Sequence, residues 1–283
     1  MSEALKLDTA KKVLVKLFGG FVPVISITLG SGLGYMTELL ENARHCSYSK
    51  IPGCPIPGAT GHAGELWWGE LNGVNVVMQK GRAHLYEGYD VHEVVFLTRL
   101  LIMTGVKKMI LTHATGSVTR NLMPGDIVGV HSQIPGECPD PTCGREIDKL
   151  GVMEFTPPDI AFNPAFLQIA RECALQERVA FHRGVSIFKI GRTYEGRAEG
   201  DSMARNGADV ATMSTAPEMI ALGHMGAQGL DLALVTDMVA NVRDEVTDVS
   251  HGEVLEVAER MKDPFGRLIT AIVPEMAKFD ITA

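Results

Sequence analysis

Between Gln79 and Tyr89 the chain sets a guanidinium (Arg82), an imidazole (His84), a phenol (Tyr86) and a carboxylate (Glu87) among the glycines Gly81 and Gly88. A guanidinium fork with an imidazole two residues away suits a phosphate or a carboxylate, because it offers paired donors to an oxyanion. An apolar run, Val74 to Met78, precedes the stretch and an amphipathic run, Val91 to Leu101, follows it. That arrangement predicts a loop between a buried strand and a helix, the place where α/β folds carry function. Taken alone, these residues suit a solvated surface loop equally well, so the elements around them have to decide.

Several other polar residues fall just past apolar runs. Phe21 to Leu29 predicts a strand covered on both faces, and it runs into Gly30-Ser-Gly-Leu-Gly34 and a short helical pattern through Leu39 and Leu40. The glycine pattern is neither a dinucleotide fingerprint, since Tyr35 occupies the third glycine position, nor a P-loop; Ser31 between two glycines fits an anion-binding nest. Lys108 to Thr112 predicts a strand ending in His113-Ala-Thr-Gly-Ser117. Val179 to Ile190, a strand or a hairpin about Arg183-Gly184, ends in Gly191-Arg-Thr-Tyr-Glu-Gly196. Asp209 to Met213 leads to Ser214, and Leu230 to Val235 to Thr236-Asp237. In an open mixed sheet such strand ends converge on one crevice, which brings Ser31, His113, Glu195, Ser214 and Asp237 together.

Between these runs, helices are predicted at 8–18 (capped by Asp8 or Thr9), 90–104, 163–177 and 198–206. Another follows Ser214 with Thr215 as its cap, and a last one begins near Ser250-His251-Gly-Glu253 and runs toward the C-terminus. Leu66–Leu71 and Val74–Met78 predict a hairpin about Asn72-Gly73, and Asp126–Val130 one more strand. Residues 132–163 carry five prolines and form an unusually long connection. With no repeat, low-complexity tract or linker, residues 1–283 read as a single α/β domain.

Composition narrows the function classes. Of 283 residues 46% are apolar and 21% charged, ordinary for a globular chain, and the net charge of -8 with no basic block argues against nucleic acid or an anionic membrane surface. An anionic ligand must therefore be captured by a local cluster. No membrane span is expected, and the opening Met-Ser-Glu-Ala-Leu-Lys does not read as a signal peptide. Five irregularly spaced cysteines suit a reducing, cytoplasmic compartment, and Cys138 and Cys143 read as free thiols rather than as a zinc site.

Gly30–Gly34, Gly61-His-Ala-Gly64, Gly81-Arg-Ala-His-Leu-Tyr-Glu-Gly-Tyr89, Gly191-Arg-Thr-Tyr-Glu195 and Gly207-Ala-Asp-Val-Ala-Thr-Met-Ser-Thr-Ala-Pro-Glu218 occur in this order. Over nearly its whole length the chain thereby resembles the trimeric purine nucleoside phosphorylases, relatives of the methylthioadenosine phosphorylases. The resemblance implies a mixed, partly barrel-like sheet flanked by helices, a homotrimer, and no metal or organic cofactor, with inorganic phosphate as co-substrate. It implies reversible phosphorolysis of a purine nucleoside to free base and ribose 1-phosphate. By position, Ser31, His62, Arg82, His84, the Ala114 N–H and Ser214 would hold phosphate, with Glu87 orienting His84 and keeping it positively biased. Tyr86, Met213 and His251 would contact ribose, Tyr194 would stack on the purine and Glu195 would accept from its N1–H side.

The chain departs from that pattern at four places. Asp237 stands where the 6-oxopurine branch has asparagine and where methylthioadenosine phosphorylases have aspartate; His113 replaces an asparagine, Arg192 a proline and Met238 a lysine. An ionised aspartate only accepts hydrogen bonds. Asp237 therefore either donates to N7 as the acid or accepts from a 6-amino group. Glu195 and His251 resemble the 6-oxopurine branch, which leaves 6-oxopurines the leading substrates and 6-aminopurines the alternative. A nucleosidase and a catalytically silent nucleoside-binding protein are the remaining readings.

Overall fold

The computed structural model describes residues 2–144, 147–151, 155–239, 242 and 251–281, without the side chains of Asp148 and His251. Its strands are β1 (Ile25–Leu29), β2 (Glu41–Ser47), β3 (Glu65–Leu71), β4 (Val74–Lys80), β5 (Lys108–Ser117), β6 (Ile127–Ile134), β7 (Phe181–Phe188), β8 (Val210–Thr212) and β9 (Gln228–Met238). They join in the order β2-β3-β4-β1-β5-β8-β7-β6-β9, and a further β5–β9 pairing closes the last five into a ring. The result is a mixed sheet, barrel-like at one end and open at the other.

Strand β5 belongs to both parts, and that shared position creates the site. Along Lys108–Leu111 its edge pairs in parallel with β1, and at Gly116 and Ser117 the same strand pairs antiparallel with β8. Its partner over nearly its full length is β9, with a register shift between Thr115 and Gly116. Residues 112–115 therefore lie between the end of β1 and the start of the β8 pairing. Gly30, directly after β1, donates its N–H to Thr112 Oγ1 at 3.1 Å.

The helices are α1 (Glu3–Phe18), α2 (Val91–Val94), α3 (Phe96–Met103), α4 (Pro164–Glu177), α5 (Arg197–Arg205), α6 (Thr215–His224), α7 (His251–Arg260) and α8 (Lys262–Lys278). They cover both faces of the sheet. On one face Leu7, Leu14 and Phe18 of α1 and Leu97 and Leu100 of α3 join Val77, Met109 and Leu111 in one core. On the other, Phe166 of α4 and Leu268 and Ile272 of α8 join Val76, Met78 and Ile110. Neighbouring residues of β4 and β5 thus feed opposite cores, as the twofold alternation of a strand requires. Both strands lack a wet face, which is why they read as continuous apolar runs.

Several elements differ from the sequence expectation. Helix α1 starts five residues earlier, because Ser2 accepts from the Leu5 N–H and caps it. The predicted 90–104 helix breaks at Val95 into α2, capped by Asp90, and α3. The pattern after Gly34 is a 3-10 turn, Gly34–Leu39. Strand β2 has no counterpart in the prediction: it is almost wholly exposed and lacks apolar alternation. Residues 181–188 form one strand rather than a hairpin, and the Asn72-Gly73 turn forms as expected with both residues at positive φ. Both β5 and β9 run on past their predicted ends, so His113 and Asp237 sit within strands rather than after them.

Candidate active site

The glycine-rich turn after β1 works by close approach. A Cβ on Gly30 would stand 2.8 Å from the backbone of β5 at His113 Cα, and one on Gly32 would strike Ala258 of α7. Without them, Ser31 is pressed toward β5 while α7 seals the outside. Ser31 Oγ lies 3.2 Å from His62 Nε2, on the loop before β3. The Arg82 N–H donates to His62 Nδ1 at 2.9 Å, so Nε2 carries the ring hydrogen and donates to Ser31.

The 81–87 loop is pinned from beneath and from the side. Tyr48 donates its hydroxyl hydrogen to Gly81 O at 2.6 Å, and Gly81 has a φ of +107 with His62 packed where a Cβ would be. Arg82 is buried; its Nε stands 3.2 Å from Glu218 Oε2 of α6, an ion pair without hydrogen-bond alignment, and its Nη2 meets no protein acceptor. Buried guanidinium donors require partners, and an oxyanion at this place would supply them. Glu87 Oε1 accepts from the His84 N–H at 2.9 Å and lies 3.0 Å from His84 Nδ1, while Gly58 donates to Oε2 at 2.5 Å. The His84 ring stacks on Tyr86 at 4.6 Å and meets His62 edge-on at 5.0 Å.

Opposite this cradle lies the segment after β7. Gly191 has a φ of +74 and leaves room for Met213, whose sulfur occupies the position a Cβ would take. Arg192 lies over the Tyr86 ring at 5.6 Å, joining this segment to the 81–87 loop. Tyr194 is 38% exposed, whereas Glu195 is buried. Asp237 extends from β9 over Gly116, its Oδ1 accepting from the Thr236 hydroxyl at 3.0 Å, and a Cβ on Gly116 would meet Oδ2 at 2.9 Å.

These groups enclose a cavity of about 450 Å³, lined by Ser31, His62, Arg82, His84, Tyr86, Ala114, Tyr194, Glu195, Met213, Ser214 and Asp237. Burial raises the Glu195 carboxyl, and the nearby Asp237 and Glu199 add to it against Lys189. Burial also pushes Tyr86 up to about 12. For His84, burial outweighs the raising influence of Glu87, and Arg82 acts with burial, so the imidazole is held below its ordinary value. The positive bias expected from Glu87 is thus present but overridden. One end of the cavity is a cluster of hydrogen-bond donors in which Arg82 Nη2 meets no protein acceptor; the other is an aromatic face beside two carboxylates.

A family model described as the phosphorylase superfamily matches residues 24–274. Purine nucleoside phosphorylase 1 of Geobacillus stearothermophilus is 36% identical over 256 residues, 90% of this chain and 92% of that protein. The purine nucleoside phosphorylase of Rattus norvegicus is 32% identical over 262 residues, covering 89% and 88%. The chain belongs to the purine nucleoside phosphorylase family. Among solved structures, the Schistosoma mansoni purine nucleoside phosphorylase in complex with inosine superposes with a TM-score of 0.88 at 27% identity, covering 97% of this chain and 98% of that one.

Of the residues assigned by family position, all but Glu87 and His251 line this cavity; Glu87 reaches it only through its contacts to His84. His251 opens α7, but its side chain lies outside the described residues. Met238, Arg192 and His113 all take defined places, the last two on the cavity wall. The family motif at 207–218 drew attention to Ser214 but passed over Thr212 and Glu218. Thr212 Oγ1 lies 2.9 Å from His113 Nδ1 and 3.2 Å from Ser214 Oγ, and Glu218 is the buried counter-charge of Arg82. A threonine inside an apolar strand and a glutamate in a helix give no sign of this in sequence. Among the described residues no helix is long and apolar enough to cross a membrane, and no group of three or more His, Cys, Asp or Glu could hold a metal ion.

Proposed function

We propose that the chain catalyses the reversible phosphorolysis of purine nucleosides, 6-oxopurine nucleosides foremost, to the free base and ribose 1-phosphate. The observation that carries this reading is the donor cradle of Ser31, His62, Arg82, His84 and Ser214, set across a nucleoside-sized cavity from Tyr194, Glu195 and Asp237. Phosphate would sit in the cradle, with the Ala114 N–H as a further donor, ribose against Tyr86, Met213 and His251, and the purine against Tyr194. The named activity of the relatives and the inosine held by the Schistosoma mansoni relative support the same assignment.

In this reaction the C1′–N9 bond lengthens first and positive charge grows on the sugar. A phosphate oxygen beneath C1′ stabilises that charge and then forms the new C–O bond, while the base departs with the bonding electrons. Glu195, ionised, accepts from the N1–H of a 6-oxopurine. Asp237, protonated, donates to N7 of the departing base. Two carboxylates facing one pocket favour a single shared proton, and a bound 6-oxopurine, which offers N1–H to Glu195 and the N7 lone pair to Asp237, would draw that proton to Asp237. The reaction calls on phosphate as co-substrate and on no metal or organic cofactor.

Asp237 also supports a second reading. As an ionised acceptor it would read a 6-amino group, and adenosine-type nucleosides would then be the better substrates. A homotrimeric assembly and a cytoplasmic location belong to the same proposal and rest on family likeness. The test is base release from inosine, guanosine and adenosine, each with and without phosphate. Phosphate-dependent cleavage with inosine or guanosine preferred is the expected outcome, and adenosine preferred selects the second reading. Cleavage independent of phosphate, or silence on all three, overturns the assignment.

A further inference from the structure

The segment that carries Tyr194 and Glu195 leaves β7 after Phe188 and enters α5 at Arg197. Among the described residues, no backbone group of residues 191–195 bonds to another backbone group. A stretch without a ladder of its own keeps one geometry only where other groups fix its ends, because each unfixed residue otherwise gains backbone entropy.

Both ends are fixed, from two sides. The Lys189 N–H donates to Thr212 O at 2.9 Å, so the segment starts from a point held on β8. The Lys189 side chain is buried, and its ammonium stands 2.6 Å from Glu199 Oε1. The other oxygen of that carboxylate accepts from the Gly196 N–H at 3.3 Å. Glu199 thus ties the first residue of the stretch to the last and closes the neck of a loop. On the outer side, Glu137 Oε2 accepts from the Ile190 N–H at 3.0 Å. Close approach brings Glu137 there. Gly136 has a φ of +56, a Cβ on it would strike the Phe188 carbonyl, and the Glu137 N–H donates to that same carbonyl at 3.5 Å. Glu137 belongs to the long proline-bearing connection between β6 and α4, none of whose described residues lines the cavity. Beyond burial, Lys189 and Glu199 are among the charges that act on the Glu195 carboxyl, which sets the neck beside it.

We propose that Glu137 and the Lys189–Glu199 pair are positioning residues that close the neck of the 189–196 loop and thereby hold Tyr194 and Glu195 at the place of the purine. They touch no ligand themselves. The proposal rests on the reading of this end of the cavity as the purine site. The oxyanion end is carried by other segments, at Ser31, His62, Arg82, His84 and Ser214, so loosening the neck weakens one ligand and spares the other.

The test is calorimetric titration of hypoxanthine and, separately, of sulfate into the wild type, Glu137→Ala, Glu137→Gln and Lys189→Met. Alanine removes the acceptor of the Ile190 N–H, whereas glutamine keeps one in its amide oxygen. Methionine keeps the apolar stem of Lys189 and removes the tie to Glu199. Hypoxanthine is expected to bind Glu137→Ala and Lys189→Met about tenfold more weakly, the worth of one hydrogen bond to a charged acceptor lost at Glu195. Sulfate affinity is expected to stay unchanged in both, and Glu137→Gln to bind both ligands as the wild type does. Unchanged hypoxanthine affinity in Glu137→Ala or Lys189→Met overturns the role of the residue replaced. Equal loss of both ligands, or a glutamine variant as weak as the alanine one, overturns positioning through the neck. Because neither ligand is turned over alone, a protein that shows the expected split yet leaves inosine intact overturns the proposed reaction only. A wild type that binds no hypoxanthine overturns both.

Discussion

At the scale of single residues, the cavity opposes an under-satisfied guanidinium to a pair of carboxylates, and Asp237 decides how the base is read. Replacing Asp237 by asparagine supplies a permanent donor toward N7 and O6 that needs no proton uptake. The kcat/KM for inosine relative to adenosine is expected to rise about tenfold or more, the range for a hydrogen bond to a charged group. Steady-state assays on both nucleosides check this, and an unchanged ratio would remove Asp237 from base recognition. His84 gives a stability prediction. Its folded pKa is depressed, chiefly by burial, so the unfolded chain binds more protons there and stability falls with decreasing pH from about 6.5. Melting curves at decreasing pH are expected to show a shallower decline for His84→Asn than for the wild type. What sequence conveyed at this scale was residue type: Arg82, His84, Glu195 and Asp237 were all legible as site chemistry. Pairings such as Glu218 with Arg82 or Thr212 with His113 were not, because the partners are far apart in the chain and ordinary in their local pattern.

At the scale of elements, the site depends on backbone segments touching where side chains would keep them apart. Gly30 brings the end of β1 against His113 of β5. Gly30→Ala would force a methyl into backbone, at a cost of about 1–3 kcal/mol, and move Ser31 away from the cradle. A lower melting temperature together with a KM for phosphate raised about ten- to a hundredfold is the expected result. A KM unchanged at reduced stability would show that the contact supports only the fold. The buried strands were legible because β1, β4 and β5 feed apolar cores on both faces. Their ends were not: β5 and β9 continue through His113 and Asp237 because they pair around the ring, a long-range cause that leaves no local mark. Strand β2, with its exposed face, carried no apolar rhythm to detect.

For the whole molecule, the closed ring and the open sheet share β5, and the cavity lies where the shared strand passes from β1 to β8. The chain is acidic overall, at -8, so the anion site works by local donors in a buried pocket rather than by the field of the protein. That arrangement serves phosphorolysis only if the oxyanion in the cradle is the group that captures the sugar. The decisive measurement is therefore the identity of the sugar product from inosine in the presence of phosphate. The account predicts ribose 1-phosphate in equal amount to hypoxanthine, and re-formation of inosine when both are supplied. Free ribose in place of ribose 1-phosphate would contradict it.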